Sequence, residues 1–327
     1  MKTKPLLTIL VPTYNRSENL AVLLRALHEE VAQLDTVTVF VSDNASTDST
    51  PLVVDRVAKE WPNFASFRHP ENIGADENFL HCVRSVQTRW LWIIGDDDLP
   101  KRGILSSVIQ LLEEKEPALV YMQSEWVDRV CSPDQGELVQ SLNIRQLNAL
   151  SFASTVHTWL TYISAMVIDK RRLTDVIDMR AVDRYNRTSL VQLGWILPLL
   201  MTDGPFFYVK NKCVLATSGN TGGYQVFKVF FQNFPQIIDN FFGKDSSIGK
   251  SILKPHFLDY LPRLAWNLRF KNIGKFQKED LPTNWSNAIG KNYYRQLLVR
   301  PIIALPRPLA WPFYIFAQFL RRLNKTD

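Results

Sequence analysis

The chain is poor in cysteine and glycine for a protein of 327 residues. Its 3 cysteines (Cys82, Cys131 and Cys213) are far apart and form no CxxC pair, which excludes a zinc ribbon, a thioredoxin-type redox site and a disulfide scaffold. With 13 glycines and 18 prolines, the chain is neither collagenous nor low in complexity. We therefore expect a folded protein of a reducing compartment.

No glycine precedes Gly74, so neither a GxGxxG loop nor a Walker A loop can follow the first predicted strand. This absence excludes dinucleotide oxidoreductases and P-loop NTPases, and it weighs against sugar-nucleotide pyrophosphorylases. The 5 histidines have no zinc-binding spacing, and no GxSxG elbow is present. Metalloprotease and serine-hydrolase chemistry are therefore not expected.

Net charge is absent from most of the chain. The total is +6, from 38 basic and 32 acidic residues. Residues 291–327 contain seven basic residues and one acidic residue, so the remainder carries 31 of each sign. A nucleic-acid-binding protein normally spreads positive charge over its folded domain. The concentration of charge in the tail instead predicts an anionic membrane surface as a partner, and no nucleic acid.

The N-terminus lacks a long apolar run. Lys2 and Lys4 before Leu6–Val11 resemble the start of a signal peptide, but such a peptide needs an apolar stretch of roughly 7–15 residues. The run is shorter, and Pro12 follows it directly. It therefore predicts a buried strand followed by a turn, in a chain that is cytoplasmic from its first residue.

Two hydrophobic periods alternate over roughly the first 120 residues. Segments with a helical period separate five apolar runs, at Leu6–Val11, Thr36–Ser42, Ala65–His69, Trp90–Gly95 and Ala118–Gln123. Strands that alternate with helices indicate βαβ units. The predicted class is α/β, with a Rossmann-like and mainly parallel sheet flanked by helices.

Polar residues follow four successive predicted strands. In α/β sheets, ligands bind at the carboxyl ends of the strands. The loops at these ends contain Asn15-Arg16, Asp43–Asp48, Asn72–Asp76 and Asp96–Asp98. We therefore expect a polar ligand at this edge.

Asp96, Asp97 and Asp98 stand between an apolar strand and Leu99-Pro100. Three adjacent carboxylates repel one another unless a cation neutralises them. A hard divalent ion suits such oxygen ligands and leaves coordination positions for a diphosphate. The alternative, a solvated acidic loop, is disfavoured by the buried strand directly before it.

Four segments resemble the successive motifs of family 2 glycosyltransferases, which have the GT-A fold. They are Leu7–Arg16 (LTILVPTYNR), Val41–Thr50 (VSDNASTDST), Glu71–Asn78 (ENIGADEN) and Trp90–Pro100 (WLWIIGDDDLP). The resemblance rests on the order and spacing of all four, and it covers residues 5–125 strongly and 155–220 loosely. The third segment and the overall layout also resemble bacterial O-antigen enzymes that transfer abequose or another dideoxyhexose.

The resemblance implies an inverting transfer of a hexosyl-type group from a CDP-, UDP-, GDP- or dTDP-linked sugar to a glycan or polyprenyl-linked acceptor. The implied nucleotide- and donor-binding residues are Pro12, Thr13, Asn15, Arg16, Asp43, Asp76, Asn78, Asp96 and Asp97. Asp98, together with Asp96, would bind Mn²⁺ or Mg²⁺. That cation would neutralise the charge developing on the leaving diphosphate.

Several of these residues have a structural alternative. Asp43 and Asp48 could cap the helix that follows them. Asn15 could be a turn residue, and Asp76 could be a charge favoured at a helix N-terminus. These alternatives stay open at the level of the sequence.

The general base is where the sequence departs from the family. Many members carry a Glu-Asp pair about ten residues before a glycine that precedes a strand, and here the matching stretch, Ser189–Gln192, has no carboxylate. Asp183 is the first candidate for the base, ahead of Asp169 and His157. A salt bridge from Asp183 to Arg180 or Arg184 is the structural alternative.

The C-terminal part is predicted to be helical and rich in aromatic residues. The expected domains are a GT-A domain at 1–225, a helical region at 226–300 and a basic aromatic tail at 301–327. Pro301–Leu320 is apolar apart from Arg307, but this charge and four prolines disfavour a transmembrane span. We expect the tail to lie in the interface at the inner face of the cytoplasmic membrane; core packing and a true span are the alternatives.

Two other functions remain possible on this sequence. One is a nucleotidyltransferase, which the missing glycine-rich loop disfavours. The other is a non-catalytic GT-A-fold binding protein, which the missing Glu-Asp pair favours slightly.

Overall fold

The computed structural model describes residues 5–32, 34–128, 137–218, 224–271 and 293–323. The chain divides into two compact units. The first consists of Met1–Ala149 and Thr161–Ser218, and the second of Leu150–Leu160 and Gly219–Asp327. The three-part division predicted from the sequence stays a prediction.

Strands and helices alternate in the first part of the first unit, as the hydrophobic pattern predicts. The elements are β1 (Leu7–Thr13), α1 (Ser17–Val31), β2 (Val37–Asp43), α2 (Thr50–Glu60), β3 (Phe64–Arg68), α3 (Ala75–Ser85) and β4 (Trp90–Ile93). Every residue of β1 is buried, as expected for the central strand of a sheet that is covered on both faces.

The later part of the first unit contains shorter elements. They are β5 (Leu99–Pro100), α4 (Ile104–Lys115), β6 (Leu119–Val127), β7 (Ile144–Leu147), β8 (Met166–Asp169), α6 (Lys170–Val176), α7 (Leu193–Leu199) and β9 (Phe206–Thr217), with α5 (Ala149–Val156) at the start of the inserted segment. Two 3₁₀ turns, Ile163–Ala165 and Met179–Tyr185, flank β8 and α6. The apolar run Thr161–Ile168 (TYISAMVI) favours a strand by its composition, but its first half forms the turn Ile163–Ala165 and the strand begins at Met166.

The sheet has the strand order β3-β2-β1-β4-β8-β6-β9-β5, with β7 beside β9. The pairs among β1 to β4 are parallel. By contrast, β8 is antiparallel to both β4 and β6, and β9 is antiparallel to β5 and β7. The α/β class with flanking helices is confirmed, but the sheet is mixed rather than mainly parallel. The hydrophobic pattern of a buried strand carries no information on its direction.

Two tryptophans anchor the strand that leads into the aspartates. Trp90 and Trp92 on β4 are almost completely buried. Their indole nitrogens donate to the carbonyl oxygens of Pro117 (3.0 Å) and Ser164 (2.9 Å). A buried indole needs such a partner. The end of β4 is thus held firmly where the loop of Asp96–Asp98 begins.

The second unit is helical in its described parts, as predicted. Four of its turns have π-helical geometry, in which each N–H bonds five residues back. Three of these turns directly precede a helix with proline as its second residue; the prolines are Pro235, Pro262 and Pro301. Proline lacks an N–H, and its ring clashes with the carbonyl four residues earlier. A widened turn lets the chain continue as a helix through each proline.

His256 lies at the centre of this unit and is fully buried. Its Nε2 donates to the carbonyl of Phe230, and its Nδ1 accepts from the hydroxyl of Thr158 (both 2.9 Å). Burial lowers the pKa of His256 well below its usual value, so the ring is neutral. These bonds link Leu150–Leu160 to the helices that follow residue 223.

The final helix runs from Arg307 to Leu323. Within the described residues, no helix combines the length and the apolar content that crossing a bilayer requires.

Candidate functional site

The carboxyl ends of several strands meet at one edge of the sheet in the first unit. β1 to β4 run in one direction, and β6 and β9 share it, because β8 is antiparallel to both β4 and β6. Hydrogen bonds connect the loops at this edge. The hydroxyl of Thr13 donates to Asp96 Oδ2 (2.7 Å), and the backbone nitrogen of Thr217 donates to Asp98 Oδ1 (3.0 Å). The structure therefore brings residues after β1, β4 and β9 into one site.

Arg16 bridges two of the three adjacent aspartates. Its Nη1 lies 3.1 Å from Asp96 Oδ1 and 2.8 Å from Asp97 Oδ2. Burial alone would lower the pKa of Arg16, but the charges of Asp96 and Asp97 raise it, so the guanidinium stays charged. One cation thus neutralises part of the repulsion among the carboxylates.

Asp98 is held by a separate set of donors. Besides the Thr217 nitrogen, the hydroxyl of Tyr162 donates to Asp98 Oδ2 (2.9 Å), and Ser164 contributes a further hydrogen bond. Thr217 also donates its hydroxyl to the carbonyl of Asp97 (2.6 Å). No cationic side chain belongs to this set, so Asp98 is oriented without being neutralised.

Ionisation of Asp96 and Asp98 in the acidic cluster is unfavourable. Burial raises the pKa of Asp96 to about 7, which Arg16 opposes and Asp97 reinforces. Burial and the charge of Asp97 raise the pKa of Asp98 to about 6, against the hydrogen bonds from Ser164, Thr217 and Tyr162. A positive ligand near these carboxylates would remove the cost of ionising them.

The carboxylates suit a divalent cation that arrives with a diphosphate. Among residues that the structure describes, no group of three or more His, Cys, Asp or Glu side chains is placed to hold a metal ion. Magnesium in proteins is commonly bound by one or two carboxylates, with substrate phosphates and waters completing its shell. Asp98, with Asp96 beside it, can supply that number of ligands. We therefore expect nucleotide and metal to bind together.

Asp43 ends β2 and is almost fully buried. Its Oδ1 accepts from the backbone nitrogen of Ser46 (2.9 Å). Its Oδ2 is buried without a hydrogen-bond donor, although Arg68 Nε lies 3.4 Å away. A buried carboxylate oxygen normally has a donor. The Oδ2 of Asp43 therefore lacks a hydrogen-bond donor that a ligand could supply, and the bond from Ser46 shapes the loop.

Asn15 and Asp48 fasten the first two loops together. Asn15 has a positive φ of 51°, as in a turn, and its side chain accepts a hydrogen bond from the backbone nitrogen of Thr47 (2.7 Å). Asn15 is therefore a turn residue that also holds the second loop in place. Asp48 accepts from the backbone nitrogens of Ser17 (3.0 Å) and Thr50 (2.9 Å), at the starts of α1 and α2. Burial opposes the effect, but these hydrogen bonds lower the pKa of Asp48 to about 2. Asp48 is thus the helix cap that the sequence allowed.

Three other predicted nucleotide residues lie on or behind this edge. Pro12 is buried in β1, in register with Ser42 of β2. Asn78 is buried too, and its side-chain amide bonds both the hydroxyl and the carbonyl of Ser42 (2.6 and 3.1 Å), which ties α3 to β2. Asp76, in the first turn of α3, accepts from the backbone nitrogen of Ser189 (3.0 Å). Burial raises its pKa, against hydrogen bonds from that loop.

Asp183 does not join this group. It forms an ion pair with Arg84 Nη2 (2.6 Å) in the last turn of α3, not with Arg180 or Arg184 as the sequence suggested. Arg84 lies eight positions after Asp76, or about 12 Å along the helix axis. Both partners are more than one-third exposed. The contact gives Asp183 a structural role, and its role as the base stays a prediction.

An exposed indole lies beside the acidic cluster. Trp126, near the carboxyl end of β6, is half exposed. Its ring centroid lies 5.2 Å from that of Tyr162, whose hydroxyl binds Asp98. The sheet order places β6 on the far side of β4 from β2. The edge therefore runs from Asp43, through the acidic cluster, to an aromatic surface.

Sequence reasoning missed Tyr162, Ser164, Thr217 and Trp126. Asp98 is separated by 64 residues from Tyr162 and by 119 residues from Thr217. The available signal was their position near the ends of β6, β8 and β9. It could be used only once the directions of β6, β8 and β9 were known.

Residues 8–157 match the model of the family "Glycosyl transferase family 2". Among curated proteins, abequosyltransferase RfbV of Salmonella typhimurium is 26% identical over 268 residues, which are 75% of this chain and 78% of RfbV. The sequence resemblance to this family, and to enzymes that transfer abequose, is thereby confirmed.

Two solved structures resemble the whole chain in fold. S. aureus TarS 1–349 in complex with UDP-GlcNAc superposes with a TM-score of 0.62 at 15% identity, over 98% of this chain and 92% of that one. The mannosyltransferase PcManGT from Pyrobaculum calidifontis, in complex with GDP-Man and Mn²⁺, gives a TM-score of 0.54 at 16% identity, over 99% and 89%. These similarities confirm the predicted GT-A fold.

Proposed function

We propose that the chain is a glycosyltransferase that transfers a sugar, with inversion, from a nucleoside-diphosphate donor to a glycan or lipid-linked acceptor, because residues 8–157 match the model of glycosyl transferase family 2. The observation that carries the proposal is the row of groups along one sheet edge. A buried carboxylate with one oxygen that accepts no hydrogen bond (Asp43) lies at one end, the acidic cluster in the middle and an aromatic ring (Trp126) beyond it.

Each part of this edge suits one part of the donor. The Oδ2 of Asp43, which has no hydrogen-bond donor, could accept a hydrogen bond from the base or the ribose. Arg16 holds Asp96 and Asp97 in place for the ribose and the donor sugar. A divalent cation bound with Asp98 would act as a Lewis acid on the leaving diphosphate. The raised pKa values of Asp96 and Asp98 support a cationic partner at this point.

Trp126 is the proposed surface for the acceptor. An indole presents a flat apolar face, against which the C–H face of a pyranose can pack while its hydroxyls remain hydrated. Trp126 lies beyond the acidic cluster, on the side away from Asp43. A donor whose base lies at Asp43 would direct its sugar toward this ring. The acceptor hydroxyl must approach the anomeric carbon from that side.

The proposed setting is bacterial surface polysaccharide (O-antigen) synthesis at the inner face of the cytoplasmic membrane. The ENIGADEN stretch and the 26% identity to an abequosyltransferase support it. The concentration of net positive charge in residues 291–327 supports a membrane-borne, polyprenyl-linked acceptor.

The first test is a thermal-shift panel of UDP, CDP, GDP and dTDP, each with and without Mn²⁺. A nucleotide that binds the folded state selectively raises its stability by about 2.7 kcal/mol at 100 times its Kd. We expect one nucleotide to stabilise the wild type in the presence of Mn²⁺ and to lose this effect in Asp98→Asn. Asp183→Asn is the matched control, because it removes a carboxylate that forms an ion pair with Arg84 rather than with the residues of the acidic cluster.

Stabilisation by none of the four nucleotides would refute the proposal. Stabilisation that is equal in Asp98→Asn and the wild type would refute the metal assignment alone. With the matching donor sugar, release of nucleoside diphosphate is expected; release of pyrophosphate would identify a nucleotidyltransferase instead.

A further inference from the structure

The final helix, Arg307–Leu323, exposes large apolar side chains. Its inner face is marked by Ala310, Tyr314 and Ala317, which recur at helical spacing and are buried. The side chains that point away from this seam are 41% to 59% exposed: Leu309, Trp311, Ile315, Phe316 and Phe319, here called the outer face. A helix that faces water normally carries polar residues there. The outer face is thus suited to an apolar environment.

Contacts on the inner face fix the rotation of this helix. The ring of Tyr314 stacks on that of Trp266, with centroids 4.5 Å apart. Ala317 packs in a cluster with Leu258 and Leu298. Arg321 Nε lies 3.4 Å from Asp259 Oδ1. The helix cannot bury its outer face by turning about its axis without losing these contacts.

The charges at the two ends of the helix point to one kind of partner. Arg307 and Arg322 are exposed, and Arg307–Leu323 contains no acidic residue. A second copy packed on the outer face would bring basic ends together, whether parallel or antiparallel, and like charges oppose such an interface. An anionic bilayer complements both the apolar face and the basic ends.

We propose that the outer face inserts into the boundary between headgroups and acyl chains of an anionic membrane, with the helix axis in the membrane plane. The 17 residues of the helix span about 25 Å, and interfacial helices bury their apolar face by about 5–10 Å. The exposed arginines then lie at the level of lipid phosphates. Lipid binding does not depend on the proposed transfer reaction; only its consequence, access to a lipid-linked acceptor, rests on that function.

The test is co-flotation of the full-length chain with vesicles of phosphatidylcholine, with and without phosphatidylglycerol. We expect the wild type to float with phosphatidylglycerol vesicles. The variant Phe316→Glu/Phe319→Glu is expected to bind at least about tenfold more weakly, because each large apolar side chain contributes to insertion. Leu52→Glu is the matched control, since Leu52 is an apolar residue of the first unit that is 68% exposed. Its flotation should equal that of the wild type.

A charge variant tests the second half of the inference. Arg307→Gln/Arg322→Gln is expected to lower binding to phosphatidylglycerol vesicles by about tenfold and to make the remaining binding less sensitive to salt. Unfolding in urea checks that each variant is folded. If a variant is not folded, the single variant Phe319→Gln is tested in its place. The nucleotide-induced thermal shift should be unchanged in all of them.

Two results would overturn the inference. One is a wild type that does not float with anionic vesicles, or glutamate variants that float equally well. The other is a dimer, measured by light scattering, that disappears in Phe316→Glu/Phe319→Glu, which would assign the outer face to a second copy. Flotation without a nucleotide response would leave this inference standing while refuting the proposed function, so the two can fail separately.

Discussion

The sheet edge of the first unit and the final helix of the second place side chains in opposite environments. At the edge, the carboxylates of Asp43, Asp96 and Asp98 are at most 6% exposed. On the helix, Phe316 and Phe319 are half exposed. Charged groups usually face water, and large apolar groups usually avoid it. At the edge, hydrogen-bond donors of the protein itself stabilise the buried carboxylates, whereas the groups that the structure describes leave the apolar side chains of the outer face about half exposed. The need for a binding partner is therefore easier to recognise on the helix than at the edge.

Removing the guanidinium that bridges Asp96 and Asp97 should have the largest effect on stability. In Arg16→Met, the buried carboxylate of Asp96 and the partly buried one of Asp97 lose their cation, and breaking such an ion pair costs about 3 kcal/mol of unfolding free energy. The loss should be larger at pH 8 than at pH 5, because the pKa of Asp96 is raised to about 7 and its carboxyl is neutral at pH 5. Urea denaturation at both pH values measures it. An equal loss at both would show that Arg16 acts through packing alone.

The pH dependence of stability offers a finer test of the edge. The pKa of Asp98 is about 6 in the folded chain and about 3.9 when unfolded. A carboxyl with a raised pKa contributes its stability below about pH 4, and this contribution is lost as the pH rises through 6. Asp98→Asn should therefore gain about 1–2 kcal/mol of stability relative to the wild type between pH 5 and pH 8, in EDTA.

The comparison between variant and wild type is needed because burial lowers the pKa of His157 and His256, and these groups change stability in the opposite direction. Asp48→Asn is the control. With a pKa of about 2, Asp48 contributes stability above about pH 4 and loses it only as the pH falls toward 2. Its difference from the wild type should stay constant between pH 5 and pH 8. A constant difference for Asp98→Asn as well would contradict the assignment.

Trp126 is an exposed aromatic side chain beside the acidic cluster, and we propose that it binds the acceptor. Trp126→Ala should lower acceptor-dependent release of nucleoside diphosphate by about tenfold, the usual value of one aromatic contact. Release from the donor alone should be unchanged. Trp126→Phe should retain most of the activity, since it keeps an aromatic face. A loss that appears equally without acceptor would place the ring against the donor instead.

The smallest effect is expected from Asp183→Asn. The exposed ion pair with Arg84 is worth at most about 1 kcal/mol, so the free energy of unfolding should change little. Loss of a general base would instead lower kcat by about 10²–10⁴. A fall of that size, with donor binding intact, would establish Asp183 as the base.

Local patterns predicted the parallel half of the sheet and the residues at its ends. Thr13, Arg16 and Asp96 lie in loops that follow buried strands, and parallel strands necessarily bring such loops together. Tyr162 and Thr217 could not be found this way. Their approach to Asp98 depends on β8 running against its neighbours, and a short apolar run such as TYISAMVI does not encode direction.

The helical unit illustrates a second limit. Proline normally interrupts a helix, yet π turns carry the chain through Pro235, Pro262 and Pro301. Such a turn adds one residue to a helical turn, which changes the direction in which all later side chains of the helix point. The sequence indicated an apolar and basic tail, but it could not indicate which side chains of Arg307–Leu323 face outward.

The bridge from Arg16 to Asp96 and Asp97 also determines how the site responds to ionic strength. With one guanidinium among three carboxylates, the cluster has a residual negative charge when its acids are ionised. A nucleoside-diphosphate sugar carries about two negative charges, which a divalent cation cancels. The metal–nucleotide pair is then nearly neutral, and salt should change its affinity little, whereas salt should relieve the repulsion that the metal-free nucleotide meets.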